Sequence, residues 1–165
     1  MYDLSSKFNS FYTTHVVLPQ SEQTKLHSKK DLNIQRLKDG LKEYNEENGT
    51  SYSVVETCVQ GSMAMSTVVQ NEDNDYDIDV GVVFDKSALG DKGAQATRNM
   101  VANALRRKTK QFNAEPEVKT SCAGLNMQMD IISILQFTGD IMTVGINLGC
   151  TNMLDRSGHN VNLKG

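Results

Sequence analysis

The chain has 165 residues, a formal net charge of −3 and 38% apolar residues, enough for one domain with a real core and unlike a disordered tail or a basic nucleic-acid-binding domain. No apolar run approaches the length of a membrane span, and no basic region leads into an apolar stretch at the N-terminus, so neither insertion nor secretion is indicated and a cytoplasmic setting is expected. Cys58, Cys122 and Cys150 are odd in number and far apart without a C-x-x-C, which argues against a zinc site or disulfide framework and for reduced thiols.

Residues 3–14 carry Leu4, Phe8, Phe11 and Tyr12 at helical spacing. They predict a short packed helix, broken by Pro19. Residues 21–47 repeat Leu26, Leu32, Ile34, Leu37, Leu41 and Tyr44 among balanced charges, with Ser21 as candidate N-cap and Gly49 just past the end. This pattern predicts one long amphipathic helix with a solvated charged face. His27 has no neighbour at ligand spacing and reads as a surface residue. Residues 53–60, rich in valine and threonine, predict a strand ending at Gly61-Ser62. Residues 63–67 then predict a turn into a helix start. Amides and the helix dipole at such a start favour a phosphate, and glycine permits close backbone approach; the plainer alternative makes Ser62 an N-cap and nothing more.

Residues 78–84 are mostly β-branched or aromatic and predict a buried strand, with Asp77 and Asp79 at its entrance. Side chains two apart on a strand share a face, about 6.5 Å apart at the backbone. Carboxylates converging to about 4 Å would repel by roughly 4 kcal/mol at an effective dielectric of 20, which calls for a cation. The alternative is that one of them is an ordinary strand-end charge facing water. The acidic run Glu72-Asp73-Asn74-Asp75 invites a calcium-loop reading, but counting from Asp73 puts Ile78 and Phe84 where Gly and Glu are needed, and counting from Asp75 puts Val80 and Lys86 there. A hard divalent ion shared between a few carboxylates and phosphates, as magnesium usually is, fits better.

Beyond Leu89-Gly90, residues 91–112 predict a helix with Met100, Val101, Ala104 and Leu105 as its apolar stripe. Arg98, Arg106, Arg107, Lys108 and Lys110 make it basic, either as a solvated end complementing the dipole or as a contact to phosphates. Pro116 ends the helix, and residues 118–121, 125–135 and 141–146 predict three strands separated by turns at Cys122-Ala123-Gly124 and Gly139-Asp140. Asp130 is a lone acid in the middle strand, on the face of Ile132 and Ile134, where a carboxylate is costly unless paired or bound to a metal. It arrives about 50 residues after the D-x-D, on what should be a neighbouring strand. Residues 147–165 are polar and predict no further core element.

Taken together, Gly61-Ser62, Asp77-x-Asp79 opening a strand and Asp130 on a later one resemble the catalytic signature of the DNA polymerase β-like nucleotidyltransferase superfamily. Gln60-Gly61-Ser62-x-Ala64-Met65 with Tyr76-Asp77-Ile78-Asp79-Val80-Gly81-Val82-Val83-Phe84 most resembles the bacterial CD-NTases, relatives of cyclic GMP-AMP synthase, over roughly residues 21–160. The resemblance implies an α+β nucleotidyltransferase core: a mixed, mainly antiparallel sheet backed by two helices, with a long N-terminal spine helix. It implies Asp77, Asp79 and Asp130 as the catalytic acids holding two Mg²⁺ ions, with Mn²⁺ as an alternative, and Gln60, Gly61 and Ser62 as the nucleotide-binding residues. In the implied reaction a ribose hydroxyl attacks the α-phosphate of a nucleoside triphosphate and expels pyrophosphate, giving a cyclic or linear oligonucleotide messenger in bacterial anti-phage signalling. Nucleotidyl transfer to an antibiotic, a protein or an RNA end is one alternative, and a non-catalytic nucleotide-binding module is another. The partners implied are nucleoside triphosphates and a regulatory protein, with no membrane and no stable nucleic-acid complex. Ser66 stands where many relatives carry Gly. Residues 1–165 are expected to form the catalytic core of a longer protein, without the group's C-terminal helical lobe.

Overall fold

A ten-residue strand and a 29-residue helix organise the fold. The computed structural model describes residues 3–72, 76–109, 117–118, 130–131, 136–138 and 141–150. Expectations for Asp73, Asp75, Lys110, Pro116, the two turns at 122–124 and 139–140, most of the 125–135 strand and the tail after residue 150 lie outside the described residues.

The strand, β2 (Tyr76–Asp85), alternates with period two along its first half. Tyr76, Ile78, Val80, Val82 and Phe84 point into the core, while Asp77 is exposed and Asp79 half-buried on the opposite face. Helix α2 (Gln20–Asn48) meets that core with Ile34, Leu37 and Leu41, while its Leu26 packs on Tyr76 in a second cluster. Gly49, at φ 63°, closes the helix in the left-handed conformation that favours glycine. Two expectations for α2 are corrected. Leu32 is 51% exposed, because two positions from Ile34 is roughly the opposite side of a helix. The cap position is Pro19, whose ring fixes φ near the helical value, and Ser21 lies inside the first turn. His27 is half-buried.

The N-terminal helix α1 (Ser5–Phe11) forms and runs into a π-helical turn, Tyr12–Val16, but it does not pack as expected. Leu4, Phe8, Phe11 and Tyr12 are all exposed, and no residue of α1 is buried. Apolar spacing tells which side of a helix is greasy, and says nothing about whether anything covers it.

After β2 comes a one-turn helix that the sequence reading missed, α4 (Lys86–Leu89). Its cap is Asp85, whose carboxylate accepts from the Ser87 amide at 2.8 Å and the Ser87 hydroxyl at 2.7 Å. Those bonds hold the Asp85 carboxyl below its ordinary pKa. Helix α5 (Ala94–Thr109) then buries Met100, Val101, Ala104 and Leu105 as expected. It touches α2 nearly backbone to backbone: a Cβ on Gly40 would sit 1.9 Å from the Ala104 carbonyl oxygen. The basic end of α5 forms ion pairs with α2. Arg107 forks onto Glu47, with Nη2 to Oε2 at 2.6 Å, and its guanidinium lies 5.6 Å from the centre of the Tyr44 ring. Lys108 pairs with Glu43. Arg98 and Arg106 bond Gln95 and Asn103 on their own helix.

The sheet runs in the order β1 (Val54–Gln60), β2, β6 (Ile141–Cys150), β4 (Asp130–Ile131), β3 (Glu117–Val118), with β5 (Gln136–Thr138) also paired to β6. All pairings are antiparallel except β3 with β4. The result is the expected α+β core, a mixed and mainly antiparallel sheet backed by α2 and α5. Strand β6 extends past residue 146, and its last four residues pair with Tyr76 to Asp79. A polar composition did not prevent strand formation there, because the long β2 offers backbone partners whatever the side chains are. Among the described residues, no helix is long and apolar enough to cross a membrane.

Candidate active site

Strand β1 leads directly into a single helical turn, α3 (Gly61–Ala64). Gly61 has φ +61°, and a Cβ there would lie 2.1 Å from Asp79 Oδ2. The Asp79 carboxylate is therefore pressed against the α-carbon of Gly61. The register explains why: Gln60, the last residue of β1, is paired with Asp79 on β2. Gln60 occupies the cap position of α3 without a side-chain capping bond, so Ser62 is not an N-cap; it is the second residue of the turn and half-buried. With four residues the turn has little macrodipole, but its first amides have no acceptor within the helix and are suited to an anion.

The turn is held from beneath. Met63 packs against the main core and also against a second cluster of Leu18, Leu26 and Tyr76. The segment that follows is tied to the N-terminal region by a Val17–Val69 bridge and by the Gln70 side-chain amide, which donates to the Val17 carbonyl at 2.7 Å and the Thr14 carbonyl at 3.0 Å. Ser66 adopts φ 57°, a backbone conformation that favours glycine. Ser66→Gly is expected to stabilise the fold by about 1 kcal/mol, read as a melting-temperature rise of roughly 2–4 °C. An unchanged or lowered midpoint would contradict this.

Asp77 and Asp79 lie on the sheet face away from the helices. Beside them, Gly81 leaves room for Cys58 and Gln60: a Cβ at 81 would come within 2.7 Å of Cys58 Sγ and 2.9 Å of Gln60 Nε2. Asp130 comes to the same level of the sheet, but not on an adjacent strand. Asp79 pairs with Asn147 of β6, and Asn147 pairs with Asp130 of β4. The intervening strand separates the two acids by about 10 Å at the backbone. Asn147 and Glu117, which pairs with Asp130 on β3, were not singled out from the sequence; only strand register brings them to this row.

Among the described residues, no three metal-ligating side chains cluster. The two described acids, Asp77 and Asp79, are hard oxygen donors on an open face next to a glycine turn. Such a set suits a hard divalent ion that keeps waters and takes further ligands from substrate phosphates, and it does not suit a closed cage.

Residues 55–134 match the family described as cyclic GMP-AMP synthase DncV-like, nucleotidyltransferase domain. No curated protein and no solved structure matches the chain. The matched stretch contains β1 from Val55 onward, the Gly61 turn, all of β2 and Asp130. Nucleotidyltransferases of this family typically use divalent metals, in keeping with the oxygen donors on the open face. That match indicates a nucleotidyltransferase and supports the CD-NTase resemblance of the chain's motifs.

Proposed function

We propose that the protein joins nucleoside triphosphates into a cyclic or linear oligonucleotide messenger, with Mg²⁺, in the cytoplasm of a bacterium answering phage infection. The observation that supports this reading is the contact between the Gly61 turn and the Asp79 carboxylate, because the free amides of such a turn suit an anion and the neighbouring acid suits a divalent ion. Ser62 and the first amides of α3 bind the triphosphate, and Gln60 flanks them. Asp77 and Asp79 hold the ions, and Asp130 completes the set on the side of the attacking hydroxyl. When bound, the divalent ions supply charge stabilisation at the α-phosphate and favour deprotonation of the hydroxyl. The protein's own part is orientation: the ribose oxygen forms a bond to the α-phosphorus as the bond to pyrophosphate breaks, in line with it.

The test is product analysis by mass spectrometry after the native protein is incubated with labelled triphosphates and Mg²⁺. Pyrophosphate and a product made only of nucleotides are expected. Label transferred to a protein, an RNA end or an antibiotic would overturn the messenger reading, and binding without turnover would overturn catalysis.

A further inference from the structure

The loop that carries Ser62 is pinned at its far end to the N-terminal segment. Past the α3 turn, the Thr67 amide donates to the Ser62 carbonyl at 2.9 Å, and Ser66 turns the chain at φ 57°. Met63 and Val68 both pack on the cluster of Leu18, Leu26 and Tyr76, so the start and the end of the loop share one apolar floor. Gln70 then fastens it. Its backbone amide donates to the Val16 carbonyl at 2.8 Å, and its carboxamide donates to the Thr14 carbonyl at 3.0 Å and the Val17 carbonyl at 2.7 Å. The π-helical turn Tyr12–Val16 ends there, and the last carbonyls of a helix have no donor within it. A carboxamide carries two donor hydrogens, and Gln70 directs its side chain to two of these carbonyls, 56 and 53 residues away in the chain. A serine at positive φ persists only where its surroundings hold it, and Gln70 supplies that hold from four residues on.

We propose that Gln70 is a positioning residue for the Gly61-Ser62 turn, holding it where a triphosphate meets Ser62 and Asp79; this rests on the nucleotidyl-transfer reading. Gln70→Met keeps the length of the side chain and loses both donors. In calorimetric titration of the whole chain with inorganic tripolyphosphate and Mg²⁺, it weakens binding about tenfold, the change expected from two hydrogen bonds of ordinary strength. In the free protein it speeds hydrogen exchange at the Thr67 amide. Asn45→Ala provides the comparison, because it cuts bonds to Thr50 and Tyr52 at the C-terminal end of α2: it lowers the melting temperature but leaves the affinity at the parent's level. Coupling between sites is reciprocal, so tripolyphosphate bound to the parent slows exchange at the Gln70 amide, a measurement that needs no variant. Gln70→Met binding as tightly as the parent, a Thr67 amide exchanging no faster in it, Asn45→Ala losing as much affinity, or a Gln70 amide indifferent to the ligand would each overturn the positioning role. Parent and Gly61→Ala binding tripolyphosphate alike would instead overturn the phosphate turn itself, and the inference with it.

Discussion

Asp79→Ala and Asp77→Ala are each expected to cut nucleotidyl transfer by about a thousandfold or more, measured as pyrophosphate release at saturating Mg²⁺ and triphosphate. A divalent ion stabilising transition-state charge is worth several kcal/mol, and roughly 4 kcal/mol corresponds to a factor of a thousand. The losses should not come from unfolding. Asp77 is exposed, and Asp79 belongs to the open face, so neither side chain fills the core. Circular dichroism and melting of both variants should therefore stay close to the parent. Asp85 provides the contrast, since it closes the other end of the same strand and serves as the cap of α4. Asp85→Ala should leave turnover at the parent's level and disturb only that helical turn. An Asp79→Ala protein that kept a tenth of the rate would remove this acid from the mechanism.

The parts of this molecule that the sequence reveals are those whose cause is local. The alternation of Ile78, Val80 and Val82 with Asp77 and Asp79 depends on the strand period alone, and the stripe from Ile34 to Leu41 on the helix period alone, and both form as expected. What stayed illegible depended on partners far along the chain. The basic end of α5 was visible as charge, but Glu47 lies 60 residues before Arg107 and Glu43 lies 65 before Lys108. Nothing in the local pattern says that α2 will pass alongside. Asp130 was legible as an odd acid in an apolar strand, whereas β6 standing between it and Asp79 is a matter of strand order, which periodicity does not encode. The same holds for Asn147, which read as the start of a polar tail. Its placement beside two acids exists only in the register of β6 against β2 and β4. The α1 stripe fails differently: the periodicity was right, but it says nothing of a covering partner.

Gly61→Ala is expected to lower turnover by about a hundredfold and to lower stability by more than a left-handed backbone alone explains. Two costs act together. An L side chain at positive φ costs roughly 1–2 kcal/mol, and the new methyl would sit 2.1 Å from Asp79 Oδ2, a separation no contact tolerates. Either the carboxylate swings away or the α3 turn lifts, and both spoil the juxtaposition of turn and acid on which the proposed transfer depends. Gly49 isolates the first cost: its φ is 63°, and nothing lies within 4 Å of where its Cβ would be. The melting-temperature drop in Gly49→Ala should reflect the backbone alone, at roughly 2–4 °C per kcal/mol, and the excess in Gly61→Ala reports the collision. Adding Asp79→Ala to Gly61→Ala removes the colliding carboxylate, so the excess should largely vanish and the double variant should be more stable than the sum of its parts. Strict additivity would mean that the carboxylate does not rest on Gly61, and the link between the turn and the acid would be lost.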